Sequence, residues 1–85
     1  MQGIGPMTKV LRILPNGWPC KLSECPPGLF VYQGSVCFKT EYRVDGFSEC
    51  YAESGEVFWG GTSDKELREE LVVQPCRADW VTEYE

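Results

Sequence analysis

The sequence predicts an α+β domain with a small antiparallel sheet of about five strands, built from two hairpins, and one short helix near the C-terminus. Two strand-like runs flank Gln33-Gly34, a dipeptide suited to a tight hairpin turn in which glycine takes a positive φ. A second pair of such runs follows Arg43, and a helix-start pattern begins at Ser63. A small twisted sheet and a partly closed barrel are both compatible with this order of elements.

The length and composition fit one domain with one core. The chain has 85 residues, of which 42% are hydrophobic. Residues 1–6 show no periodic pattern, so we expect a flexible N-terminal extension before a single domain at residues 7–85. No apolar run reaches the ~18 residues of a membrane span, and the first 30 residues lack a secretory pattern. We therefore expect a soluble, cytoplasmic protein, located in the host cytoplasm if a phage encodes it.

The first strand is predicted at residues 9–14, where the chain is apolar, and it ends at the turn motif Pro15-Asn16-Gly17. Residues 18–28 hold three prolines, which predict an irregular connection. The central hairpin covers residues 29–42. Alternation along its second strand predicts a core-facing set of Val36, Phe38, Thr40 and Tyr42. The opposite, more exposed face then carries Cys37, Lys39 and Glu41.

The second hairpin is predicted at residues 47–53 and 56–59, around Ser54-Gly55. Residues 57–59 are apolar on both faces, which indicates a central strand or a strand covered by another element, such as a second subunit. Together with the small core, this leads us to expect a homo-oligomer. The helix is predicted at residues 64–71, with Ser63 and Glu66 as a capping box. A last strand follows at residues 72–81, where Pro75 favours an edge or a bulge.

A candidate anion site lies between the second hairpin and the helix. Glycines let backbone N–H groups approach a ligand, and a helix N-terminus attracts negative charge. The alternative is that the glycines only turn the chain and the serine only caps the helix. Nearby aromatic and cationic side chains could stack on and clamp a nucleotide-like ligand. The predicted ligand-binding residues are Lys39, Arg43, Trp59, Gly60, Gly61, Thr62, Ser63 and Arg77.

Catalytic and metal chemistry are poorly supported. The chain has no histidine, and its five cysteines include no Cys-x-x-Cys pair. We therefore expect reduced thiols, no metal, no cofactor and no enzymatic activity. The net charge of −5 works against binding to duplex nucleic acid or to an anionic membrane.

Three strings, WPCKLSECPPGLF, FKTEY and SGEVFWGG, resemble segments of small bacteriophage and prophage proteins, and the resemblance extends over residues 7–80. It implies no particular activity and no catalytic residues. By class, phage proteins of this size include sponges that sequester nucleotide immune signals, typically as homo-oligomers. The predicted function is non-enzymatic sequestration of a small anionic nucleotide-type signal to counter bacterial immune defence. The alternative is a protein-binding inhibitor of a host factor, or a structural phage component.

Overall fold

The computed structural model describes residues 7–84, so the predicted extension at residues 1–6 lies outside the described residues. Within residues 7–84 there are six strands, a 3-10 turn at Leu22–Glu24 and one short α-helix. In chain order the elements are β1 (Met7–Pro15), β2 (Cys20–Lys21), β3 (Gly28–Tyr32), β4 (Ser35–Val44), β5 (Phe47–Ala52), α1 (Lys65–Glu69) and β6 (Val72–Tyr84).

The strands form one antiparallel sheet in the order β1-β6-β3-β4-β5, with β2 also paired to β6. The prediction of a small antiparallel, β-rich fold with one short helix is confirmed. Between residues 7 and 84 the sheet has two separate edge strands, β1 and β5, so a partly closed barrel is not supported. Residues 7–84 hold six strands where about five were predicted: the Pro-rich connection adds the two-residue strand β2, and the strand predicted at residues 56–59 is absent.

The central hairpin is confirmed. β3 and β4 pair from Gly28↔Lys39 to Tyr32↔Ser35, and Gln33 and Gly34 both take positive φ, 48° and 81°. Such a turn twists in the sense that matches the flanking strands. The hairpin therefore forms for the reason that the sequence suggests, although Gln33 also has to adopt a conformation that usually favours glycine.

The second hairpin predicted around Ser54-Gly55 is reduced to a single bridge, and β5 pairs mainly with β4. β4 continues to Val44 and pairs with β5 through a turn at Asp45-Gly46, whose φ values are 53° and 82°. Residues 56–59 form no strand, and their one ladder contact is an isolated bridge between Tyr51 and Val57. Two positive-φ glycines, Gly60 and Gly61, follow at once, so the extended run cannot continue.

The core prediction for β4 is wrong, because the opposite face is buried. Phe38 and Tyr42 are 45% and 66% exposed, whereas Cys37 and Lys39 are buried. The Lys39 ammonium donates to the carbonyls of Leu22 and Cys25, at 2.7 and 2.6 Å, which satisfies a charge that would otherwise be costly to bury. The buried core comprises Leu22, Cys25, Phe30, Cys37, Cys50, Phe58 and Val73.

The helix is shorter than predicted and begins one residue later. Its N-cap is Asp64 and not Ser63, and the Asp64 carboxylate accepts from the N–H groups of Glu66 and Leu67 at 2.8 and 3.2 Å. Leu67 is exposed, and the buried residue of the helix is Arg68. Among residues 7–84 no helix has the length and apolar character to cross a membrane.

Pro75 lies in a strand with neighbours on both sides, so the prediction of an edge or a bulge is wrong. β6 pairs with β2 and β3 up to Pro75, and with β1 from Cys76 onwards. Pro75 sits where the pairing changes, and its carbonyl accepts from the N–H of Asn16 at 2.9 Å. The missing N–H therefore falls where the ladder between β1 and β6 ends.

Candidate functional site

The structure does not bring the three predicted cations together. The ammonium of Lys39 is buried and donates to two backbone carbonyls, so it is unavailable to a ligand. Arg43 donates to the carbonyl of Gly46 at 3.0 Å inside the β4–β5 turn. Arg77 lies in the part of β6 that pairs with β1 and forms an ion pair with Asp79 at 2.5 Å. The predicted clamp of Lys39, Arg43 and Arg77 is therefore not formed.

The predicted glycine loop lines a small cavity without charged walls. Gly60 and Gly61 border a cavity of 250 Å³. Its other lining residues are Tyr32, Gln33, Ser35, Cys37, Ala52 and Phe58. None of these described residues carries a cation. The N–H groups at the start of α1 already bond the Asp64 carboxylate, and the hydroxyl of Thr62 accepts from the N–H of Asp64 at 3.1 Å. In this stretch the N–H groups of Thr62 and Asp64 are already bonded, so a phosphate cradle at residues 60–63 would have to use the remaining donors.

Gly60 has a packing role that Gly61 does not share. A Cβ at Gly60 would overlap Cδ1 of Leu71 and lie 3.1 Å from Cζ of Phe58, whereas a Cβ at Gly61 meets nothing within 4 Å. Both residues have positive φ, so each alanine costs about 1 kcal/mol in backbone strain. We expect Gly60→Ala to destabilise the fold by roughly 2–3 kcal/mol, because the core must also shift.

The matched control for this prediction is Gly61→Ala, for which only the strain is expected. Urea unfolding of both variants measures the difference. Equal losses of stability would contradict the packing role of Gly60.

A second cavity is lined by Trp59 and by charged side chains. It has a volume of 330 Å³ and is formed by β5, the end of β4, residues 57–59 and α1. Its lining residues are Val44, Ser48, Glu49, Cys50, Tyr51, Val57, Trp59, Lys65 and Arg68. Trp59 is thus the one predicted site residue among the described residues of this lining. We call this cavity the Trp59 pocket.

Arg68 is the most unusual group in the Trp59 pocket. It is only 4% exposed, and its guanidinium donates to the carbonyls of Phe58 and Ser48, at 3.3 and 3.1 Å. Its Cζ lies 5.2 Å from the centroid of the Trp59 ring, within cation–π range. Its Nε is buried and has no hydrogen-bond partner among the described residues. Arg68 therefore joins residues 57–59 to β5, and its Nε–H is left without a partner among the described residues.

The charged groups around the Trp59 pocket balance one another. Of the described lining residues, Lys65 and Arg68 are cationic and Glu49 is anionic. The Glu49 carboxylate accepts from the hydroxyl of Thr40 at 2.7 Å, and its hydrogen bond with Tyr51 raises the pKa of that phenol. Both interactions leave Glu49 with fewer free lone pairs. The Glu69 carboxylate, which accepts from the N–H and the hydroxyl of the lining residue Ser48, adds a second negative charge beside the two cations.

Four of the five cysteines are poor candidates for a nucleophile or a metal ligand. All five are free thiols. Burial raises the pKa of Cys25 and of Cys50 to about 11, and it also raises the pKa of Cys37 and of Cys76. These thiols are protonated at neutral pH, and the neutral form is a poor nucleophile and ligand. Within residues 7–84 no group of three or more acidic or thiol side chains could hold a metal ion.

Arg68 and Lys65 were not predicted as site residues. They lie in a helical segment with Glu66, Glu69 and Glu70, a composition typical of a solvated helix face. The one available signal is spacing: Arg68 is three residues before Leu71, so the two share a helix face.

No family model, no curated protein and no solved structure matches the chain.

Proposed function

We propose that this chain is a non-enzymatic binding protein that holds a small anionic ligand, a nucleotide-type signal, in the Trp59 pocket. One observation carries the proposal: the buried guanidinium of Arg68, with its Nε unpaired, lies against the Trp59 ring and lines a cavity of 330 Å³. A buried, incompletely bonded cation beside an aromatic wall is suited to a ligand that combines a flat ring with a negative charge.

The shape of the pocket limits the size of the ligand. A volume of 330 Å³ is at the lower end of the roughly 300–1,000 Å³ found for small-molecule sites. Trp59 and Tyr51 offer ring surfaces for stacking, and Val44 and Val57 add apolar walls. Stacking of a base on an aromatic side chain contributes roughly 1–3 kcal/mol. We therefore expect one base and one phosphate in each pocket, with the phosphate near Lys65.

The Trp59 pocket is better suited to holding a ligand than to catalysing a reaction of it. The thiol of Cys50 lines the pocket, but its pKa of about 11 keeps it protonated. The carboxylate of Glu49 is engaged by Thr40. A ligand held here would be removed from solution, which is how a phage protein would counter a nucleotide-based bacterial immune defence.

A thermal-shift screen with linear and cyclic nucleotides tests the proposal. A nucleotide present at ~100 times its Kd adds about 2.7 kcal/mol to folded-state stability, and we expect an increase in Tm of several degrees for a domain of this size. Lys65→Glu should abolish the increase, since it replaces a lining cation with an anion. The variant should still fold, because a carboxylate in the first helical turn is favourable.

Arg43→Glu is the matched control, because it makes the same charge change outside the described pocket lining. We expect this variant to retain the shift. Loss of the shift in Arg43→Glu with retention in Lys65→Glu would contradict the Trp59 pocket as the site. No shift with any nucleotide would contradict ligand binding and favour the alternative function, a protein-binding inhibitor or structural phage component that uses the acidic surface.

A further inference from the structure

The strands β1 and β6 form a two-stranded ribbon that extends away from the rest of the sheet. Nine residue pairs join them, from Met7↔Tyr84 to Pro15↔Cys76, and residues 76–84 pair with β1 alone within the described chain. The molecule measures 59 Å along its longest axis against 25 and 21 Å along the others. An isolated two-stranded ribbon is at best marginally stable in water. This ribbon therefore needs cover from another surface.

The two faces of the ribbon differ in chemistry. The pairs Met7↔Tyr84, Leu11↔Trp80 and Ile13↔Ala78 share one face, which we call the apolar ribbon face. Its five large side chains are well exposed: Met7 64%, Leu11 55%, Ile13 39%, Trp80 65% and Tyr84 64%. The opposite face carries two ion pairs, Arg12–Glu83 and Arg77–Asp79. The face with the ion pairs is therefore suited to contact with water, whereas the apolar ribbon face exposes large hydrophobic side chains.

We propose that the apolar ribbon face is a homodimer interface, covered by the same face of a second copy. In the described part of the chain this face carries one charge, Lys9, so a strongly acidic or basic partner would find little complementary charge on it. The five exposed side chains offer roughly 600 Å² per copy, or roughly 1,200 Å² over two copies, which reaches the lower limit for a specific interface.

The arrangement of the face is also self-complementary. Leu11↔Trp80 lies midway between the end pairs Met7↔Tyr84 and Pro15↔Cys76. A two-fold axis at this middle pair would stack Leu11 and Trp80 on their counterparts and bring the tip of each ribbon over the base of the other. The interface shares no residue with the Trp59 pocket, so it is independent of the proposed ligand.

This proposal places the oligomer contact on the ribbon and not on the segment that the sequence indicated. The sequence suggested residues 57–59, but Phe58 is part of the core, and Val57 and Trp59 line the pocket. The exposed surface to which we assign the contact is the apolar ribbon face instead.

Sedimentation velocity at micromolar concentration tests the interface. We expect the wild-type chain to sediment with twice the monomer mass of 9.6 kDa. Trp80→Lys places a charge at the centre of the apolar ribbon face and should give a folded monomer. Val81→Lys is the matched control, because Val81 is the next residue and points to the opposite face; it should remain a dimer.

Tyr84→Lys is a second test at the far end of the ribbon, where unfolding of the domain is not expected. It should raise the dimer dissociation constant at least tenfold, and circular dichroism verifies the fold of each variant. A wild-type monomer at micromolar concentration would overturn the proposal. Dimers that persist in both Trp80→Lys and Tyr84→Lys would also overturn it, because they would place the interface elsewhere.

Discussion

Replacing Lys39 with methionine is expected to destabilise the fold by about 3 kcal/mol. Lys39 is 7% exposed, and its ammonium donates to the carbonyls of Leu22 and Cys25. Without it, both carbonyls lose a charged donor, and leaving a buried polar group unpaired costs roughly 1–3 kcal/mol. A single core of this size supplies about 3–5 kcal/mol in total. We therefore expect Lys39→Met to be largely unfolded near physiological temperature.

Urea unfolding followed by circular dichroism measures this loss. The matched control is Lys21→Met, because Lys21 lies on the surface and forms an exposed ion pair with Glu70 at 2.8 Å. The hydrogen bond with Glu70 raises the pKa of Lys21, but solvent screens the pair, so the control should lose far less stability. Similar midpoints for the two variants would contradict the structural role of Lys39.

Replacing Arg68 with methionine is expected to cost roughly 2–4 kcal/mol. Its two hydrogen bonds, to the carbonyls of Phe58 and Ser48, hold residues 57–59 against β5, and each bond to a charged group contributes roughly 1.5–3 kcal/mol. Lysine at this position cannot reproduce the planar fork that reaches both carbonyls. Arg68→Lys should therefore recover only part of the loss.

Arg43→Met is the matched control, because Arg43 makes one exposed hydrogen bond within its own turn. We expect its unfolding midpoint to stay close to that of the wild type. Fluorescence gives a second measurement in a Trp18→Phe, Trp80→Phe background, where Trp59 is the one remaining tryptophan. Its ring loses the guanidinium neighbour in Arg68→Met and should become more accessible to a quencher. An Arg68→Met variant with wild-type stability would show that the guanidinium does not anchor residues 57–59.

Elements that depend on local chemistry were predictable from the sequence. The Gln33-Gly34 turn, the Pro-rich connection and the position of the last strand follow from residues close to one another. The helix was predicted at the right place in the chain, but its predicted length was too great. Asp64 and Ser63 can each cap a helix, and only the backbone geometry decides between them.

Features that depend on distant contacts were not predictable. The buried face of β4 was reversed because the carbonyls of Leu22 and Cys25 bind Lys39, and a shift of one residue exchanges the two faces of a strand. The β1–β6 pairing joins residues about 70 positions apart, such as Leu11 and Trp80. The Trp59 pocket depends on Arg68 folding back on residues 57–59, which appeared in the sequence as part of a strand.

The most direct test of the Trp59 pocket is a ¹H–¹⁵N NMR titration of the wild-type chain with linear and cyclic nucleotides. The indole N–H signal of Trp59 and the Nε–H signal of Arg68 should shift on binding, because the proposed ligand contacts both groups. The indole signals of Trp18 and Trp80 should stay in place. Unchanged Trp59 and Arg68 signals, or larger shifts at the Gly60 and Gly61 amides, would contradict ligand binding in the Trp59 pocket.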